Sequence, residues 1–203
     1  MNRLLVSAAH RSSGKTTVSI GLAAAFSARG ERLRPFKKGP DFIDPLWLSR
    51  AAAVPCYNLD FNTQSADEIR ALFAWASSGC DLALIEGNKG LHDGMDVEGA
   101  DSSAALAKLL DAPVLLVLDV TGITRGVAPL LMGQAAFDPD VNVCGVVLNR
   151  VVSARQEAKL RQAIERYSAI PVLGALPRDG DLLVKERPLG LTTPGDAGGV
   201  EAR

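Results

Sequence analysis

The stretch SAAHRSSGKTTVS, residues 7–19, decides how the fold is read. It follows a short apolar run, ends in Gly14-Lys15-Thr16-Thr17 and leads into a segment of helical composition. That is the strand–loop–helix context a phosphate-binding loop needs. Glycine there lets backbone amides close around a phosphate, and the helix N-terminus adds its dipole. Lys15 is expected to bridge the β- and γ-phosphates and the Thr16 hydroxyl to reach Mg²⁺. Ser12, Ser13, Gly14, Lys15, Thr16 and Thr17 form the expected nucleotide contacts. Such loops usually begin with glycine, and this one begins with Ala9. Alanine is tolerated at that place provided the backbone needs no positive φ. The competing explanation is an ordinary strand-to-helix turn with an exposed lysine; strand, Gly-Lys-Thr-Thr and helix together weigh against it.

Outward from the loop, short β-rich apolar runs alternate with helical segments. The runs are 4–7, 33–36, 82–85, 114–118, 143–148 and 172–176; the expected helices are 16–28, 66–77, 104–110, 124–135 and 154–167. The runs are apolar on both faces, as strands buried between two helical layers should be. The alternation predicts an α/β fold, a P-loop NTPase-like three-layer sandwich with a mostly parallel sheet and helices on both faces. Ligands in such sheets bind at the carboxyl ends of the strands. The Gly-containing stretch TTPGDAGGVEAR, 192–203, reads as a linker or frayed end.

The 203 residues suit one sizeable core, and 47% hydrophobic with 22% charged residues fits a globular domain. A net charge of −1 offers no polyanion-binding surface, so nucleic acid is not an expected partner. The longest apolar stretches stop short of a membrane span, and the N-terminal apolar run is too short for a signal peptide. Cys56, Cys80 and Cys144 lie far apart without CxxC spacing, which points to a reducing, cytoplasmic setting and no structural zinc.

Three further segments carry polar chemistry at strand ends. RPFKKGPDFIDP, 34–45, sets Lys37 and Lys38 before Asp41 and Asp44. Such a set suits anionic groups around a metal, since Mg²⁺ takes few carboxylates and completes its shell with phosphate oxygens. Alternatively, Asp44 caps a helix beginning at Pro45. LALIEGNKGLHDG, 82–94, places Glu86 directly after a strand, where an acidic residue holds Mg²⁺ or orients water. The expected metal set is thus Thr16, Asp41 and Glu86. Gly87, Gly90 and Gly94 allow close approach to a ligand that Lys89 and Asp93 could face; a solvated loop is the alternative, and His92 is set aside as solvent-exposed. CGVVLNRV, 144–151, ends in Asn149, whose amide could read an adenine edge, and Pro177 in GALPRD could pack on the base.

Taken in order, SSGKTTVSIGL, PFKKGPDFIDP, NLD (58–60), EGNKGLHDG, AKLLDAPVLLVLD, FDPDVNVCGVVLNRV and PVLGALPRD resemble the N-terminal synthetase domain of the cobyrinic acid a,c-diamide synthase family. The resemblance covers 1–191, nearly the whole chain, and includes the related dethiobiotin synthetase-like fold. It implies a loop that commonly starts with Ala, and ATP and Mg²⁺ as cofactors. It further implies phosphorylation of a peripheral carboxylate of a tetrapyrrole to an acyl phosphate, which ammonia converts to an amide. By this resemblance Lys15, Lys38, Asp41, Asp44, Glu86 and Asp93 are the catalytic set, with Lys37 or Lys38 on the transferring phosphoryl group or the substrate carboxylate. Asn149 matches the adenine-reading position.

Family members continue into a glutamine amidotransferase domain with a nucleophilic cysteine. No cysteine here sits in a Gly-flanked nucleophile turn, so this chain is expected to be an isolated domain or a separate subunit using ammonia supplied elsewhere. A homodimer is a further expectation from related domains. Lys38 and Asn88-Lys89 differ from the KVGPDYIDP and EGVMGLYDG forms of the cobalamin pathway and look closer to the branch that amidates sirohaem, so cobyrinate and sirohaem both stand as expected substrates, with nickel-sirohydrochlorin a third. The competing classes are a dethiobiotin synthetase-like ligase, which PDFIDP and GLHDG fit less well, and a ParA- or MinD-type ATPase switch. The latter usually has a lysine early in the loop, where this chain has His10-Arg11.

Overall fold

The alternation of apolar runs and helical segments becomes an all-parallel seven-stranded sheet in the computed structural model, which describes residues 2–179 together with 186–187, 190–191 and 193–194. The elements are β1 (Asn2–Ala8), α1 (Lys15–Ala28), β2 (Leu33–Lys38), α2 (Ile43–Ala52), β3 (Tyr57–Leu59), α3 (Ala66–Ala76) and β4 (Leu82–Glu86). They continue with α4 (Ser103–Leu109), β5 (Val114–Asp119), α5 (Val127–Ala136), β6 (Val143–Val151), α6 (Ala154–Tyr167) and β7 (Val172–Pro177). A two-stranded antiparallel ribbon, β8 (Glu186–Arg187) with β9 (Gly190–Leu191), follows, and β9 lies against α2. Apart from residues 193 and 194, the expected 192–203 tail lies outside the described residues.

Strand order is β3-β2-β4-β1-β5-β6-β7, so β1 and its loop stand at the centre of the sheet. Alternate side chains face opposite layers. Val6 and Ala8 of β1 pack with Val18 and Ala23 of α1 and Ala52 of α2, while Leu5 packs in the core that holds α3 to α6. The sandwich therefore has three layers, as expected. No helix among the described residues is long and apolar enough to cross a membrane.

Three expectations about elements need correction. The strands run past their last apolar residue: Lys37, Lys38, Glu86 and Asn149 all lie within strands. Parallel backbone pairing continues as Lys37↔Glu86, Lys38↔Leu59 and Asp119↔Asn149, because a ladder depends on the backbone and tolerates polar side chains at its end. Secondly, α2 begins at Ile43, ahead of Pro45, and the three-residue β3 carries no run long enough to register as a strand. Thirdly, α5 starts at Val127 rather than near 124, after a turn in which Ile123 N bonds the Val120 carbonyl.

Candidate functional site

The 9–14 loop leaves the centre of the sheet and returns as α1. Its left-handed residues are Ser12 (φ 56°) and Gly14 (φ 94°), and Ala9 adopts no positive φ. The departure at Ala9 therefore strains nothing. Ser13 is buried and its hydroxyl donates to the His10 carbonyl at 2.8 Å. Gly14 is required twice over: by its φ, and because a Cβ there would lie 2.1 Å from Asn149 Nδ2. The first turn of α1 has no acidic residue and no side-chain cap, so its amides are left for an anion.

Lys15 is buried, and its ammonium makes no hydrogen bond or ion pair among the described residues. Burial, and next the charge of Lys37, bring its pKa down from 10.5 to about 8, with Glu86 and Asp44 offsetting this only in part. Across from it, four segments meet. Thr16 Oγ1 donates to Glu86 Oε1 at 2.6 Å, and Lys37 Nζ donates to the same oxygen at 3.0 Å, to Asp44 Oδ2 at 2.5 Å and to the Gly87 carbonyl at 3.2 Å. Burial opposes the charge on Lys37, yet the Glu86 and Asp44 carboxylates outweigh it and hold its pKa well above that of an ordinary lysine. Glu86 Oε2 is buried with no partner among the described residues.

The two aspartates of 34–45 separate in role. Asp41 Oδ1 accepts from the backbone N–H of Ile43 (2.9 Å) and Asp44 (3.3 Å), so Asp41 supplies the capping contact for α2 that the sequence offered to Asp44. Asp44, inside the first turn, reaches Lys37 instead. Asp93 is exposed and accepts from Gly90 N at 3.0 Å. Gly90 itself is wedged between that carboxylate and the Ala9 carbonyl, leaving no space for a Cβ. The loop after β4 thus forms a wall of the phosphate loop. His92, set aside as solvent-exposed, is half-buried, bonded to the Gln134 carbonyl at 2.8 Å and tilted against the Phe137 ring.

Lys38 points to the opposite face of β2 from Lys37, as strand alternation requires. It is nearly buried, has no hydrogen bond or ion pair among the described residues, and lies near Lys89, Asp60 and Asp101. Burial lowers its pKa, and the two aspartates only partly restore it.

At the ends of β5 and β6, Asn149 is engaged at both ends of its amide. Nδ2 donates to the Ser13 carbonyl at 2.8 Å and Oδ1 accepts from Arg150 N at 3.0 Å. One N–H and one lone pair are left for a base. Arg150 (φ 63°) pairs with Asp119, and Pro177 ends β7 exposed. The three cysteines are free; burial, followed by the Glu86 charge, raises the Cys56 thiol far above its usual range, which keeps it protonated.

Mg²⁺ fits the residues present. One oxygen of the Glu86 carboxylate meets the Thr16 hydroxyl and the other has no partner among the described residues, and a magnesium site that borrows phosphate oxygens needs little more from the protein. Thr17, the last expected phosphate contact, lies within α1. The sequence reading missed the bond of Asn149 to the loop and the pairing of Lys37 with Glu86; only the adjacency of β2 and β4 brings the latter two together.

A family model described as an AAA domain matches residues 2–185. The chain is 50% identical over 198 residues to a cobyrinate a,c-diamide synthase of Magnetococcus marinus, covering 98% of this chain and 42% of that protein. It is 45% identical over 203 residues to a hydrogenobyrinate a,c-diamide synthase of Brucella anthropi, covering 100% and 46% respectively. The chain therefore spans less than half the length of these curated relatives. Among solved structures, chloroplast FtsY of Physcomitrella patens superposes with a TM-score of 0.58 at 19% identity, covering 84% of this chain and 57% of that one. A nucleotide-binding protein in complex with ADP from Archaeoglobus fulgidus gives 0.54 at 15% identity, covering 89% and 83%. These two establish the likeness of fold, a P-loop NTPase-like α/β architecture, and no more.

Proposed function

We propose that this chain, which belongs to the AAA domain family and is homologous over almost its whole length to cobyrinate and hydrogenobyrinate a,c-diamide synthases, binds nucleotide and is the ATP-dependent amidating unit of such an enzyme. The observation that carries the proposal is the meeting of Thr16, Lys37 and Glu86 beside Lys15, which has no partner among the described residues, at the mouth of the phosphate loop.

The γ-phosphoryl group of ATP passes to a carboxylate oxygen of a tetrapyrrole; the new O–P bond forms as the bond to the β-phosphate oxygen breaks and ADP leaves. Ammonia then attacks the acyl carbon, the carbon–oxygen bond to phosphate breaks, and the nitrogen loses a proton to give the amide. This chemistry needs positioning and neutralisation of charge more than an enzyme nucleophile. Lys15 and the first-turn amides of α1 bind the phosphates, with Ser12, Ser13 and Thr17 lining the loop. Lys37, charged under the hold of its two carboxylates, stands where negative charge builds during transfer. Thr16 and Glu86 would hold Mg²⁺, which when bound neutralises phosphate oxygens. Asp41 fixes the start of α2 and so the place of Asp44 against Lys37, while Asp93 braces the β4 loop. Asn149 holds the loop closed and offers its remaining N–H to a base beside Pro177.

The unit so proposed is residues 1–191, with a glutamine amidotransferase part of the longer enzyme as the ammonia source. The names of the two relatives favour the cobyrinate branch over sirohaem. Mass spectrometry after incubation with ATP, Mg²⁺, ammonium chloride and cobyrinate, or sirohaem in a parallel tube, tests the reading. An amide product is expected, and Glu86→Gln should lower turnover by about a hundredfold or more while nucleotide affinity changes little. No amide from either macrocycle would overturn the reading; unchanged turnover in Glu86→Gln would remove Glu86 from the site.

A further inference from the structure

We propose that Lys38 and Lys89 form a second anion site, separate from the phosphate site, which grips a macrocycle carboxylate other than the one being phosphorylated. The inference rests on the tetrapyrrole reading above and adds a contact to it.

Its ground is a cation that the protein itself leaves unanswered. Lys38 is 8% exposed and makes no hydrogen bond or ion pair among the described residues. A buried ammonium without a partner is costly, and a nearby second ammonium raises that cost. β2 and β4 are paired neighbours, and past their ends a Cβ on Gly39 would sit 3.4 Å from Asn88 Nδ2, so the segments bearing Lys38 and Lys89 leave the sheet side by side. Lys89 takes a left-handed φ of 51°, and its ammonium also has no partner among the described residues. Two carboxylates lie close enough to act on Lys38, and both are committed elsewhere. Asp60 accepts from Asn62 N (3.2 Å), Asn62 Nδ2 (2.9 Å) and Thr63 Oγ1 (3.0 Å); Asp101 accepts from Met95 N (2.9 Å) and Asp96 N (3.1 Å).

The Lys38 end of the site lies on the other face of β2 from the Thr16–Glu86 cluster. Lys37 and Lys38 are consecutive on β2, so one reaches Glu86 and Thr16 while the other reaches the opposite layer. A phosphate at Lys15 and an anion at Lys38 are therefore different groups. The flanking segments expose apolar side chains, with Phe42 at 72% and Met95 at 71%. Two neighbouring cations on segments that also expose apolar side chains suit a broad apolar ring carrying carboxylates at its edge. Delivery of that carboxylate answers the buried charge, and its binding sets which edge of the ring is presented to the γ-phosphate.

Binding titrations on the full chain test this, using cobyrinate and its fully esterified form without nucleotide, and ATP separately. The wild type should prefer the acid over the ester. Lys38→Met and Lys89→Asn, the latter keeping a residue that tolerates the left-handed conformation, should each weaken acid binding roughly ten- to a hundredfold. Ester binding and ATP affinity should hold within about twofold, which also reports that the variants are folded. Acid affinity unchanged in both variants would overturn the site, as would a loss of ATP affinity in parallel with the acid. Failure of the wild type to bind either macrocycle would instead overturn the tetrapyrrole reading and this contact with it.

Discussion

Lys15 shows at single-residue scale how a binding site strains the fold that holds it. Its ammonium is buried beside another lysine and has no acceptor among the described residues, as the proposed role on the nucleotide phosphates requires. With a folded-state pKa near 8 against an ordinary 10.5, the unfolded chain binds more protons between those values. Stability of the nucleotide-free protein therefore rises with pH through that window. Lys15→Met should raise the melting temperature at pH 7, by about 1–3 kcal/mol of stability, while abolishing nucleotide binding. The advantage should shrink from pH 8 upward and be gone by about pH 10.5. Thermal melts of both proteins across that range would decide it; a variant less stable than wild type at pH 7 would show that the buried charge is already compensated.

At the scale of elements, the β1–loop–α1 unit is not self-contained, since the end of β6 closes it. Asn149 donates to the Ser13 carbonyl and fills the space over Gly14. Gly14→Ala should cost about 2–4 kcal/mol in urea unfolding, from a forced contact with Asn149 added to an unfavourable φ. Combining it with Asn149→Ala removes the contact but not the strain. The double variant should regain part of the stability and none of the nucleotide affinity. Full recovery of both would mean that the loop does not depend on its left-handed turn. The same dependence between elements explains a gap in the sequence reading. Lys37 and Glu86 were each legible as polar residues at strand ends, but their bond follows from β2 and β4 being neighbours in register.

For the molecule as a whole, all the polar strand ends open on one edge of the sheet, so a single ligand can tie together segments distant in the chain. Binding at that edge should stabilise the entire domain. At a concentration of ATP about a hundredfold above its dissociation constant, linkage predicts roughly 2.7 kcal/mol, or about 5–10 °C in melting temperature for a domain of this size. Much of this shift should vanish when EDTA replaces Mg²⁺, if Thr16 and Glu86 hold the ion against the phosphates. An equal shift with and without the divalent cation would dismiss that seat.

The sequence alone determined the layer architecture and the phosphate loop, because both rest on local signals. Apolar runs on both faces mark buried strands, and the Gly-Lys-Thr-Thr turn lies between a strand and a helix that can be read from a dozen residues. It also placed Glu86, Asn149 and the 34–45 carboxylates at strand ends. What only the tertiary structure decided was who meets whom. β3 has only three residues and α2 carries Pro45 in its first turn, so their local signal is weak. Lys37 and Lys38 are adjacent and chemically identical, yet one joins the Thr16–Glu86 cluster and the other lies across the sheet. Asp41 and Asp44 likewise divide into a helix cap and an ion pair. In each case the outcome turns on strand register and on which face a side chain takes. A one-residue change of register reverses that face, and register is set by long-range pairing of the backbone.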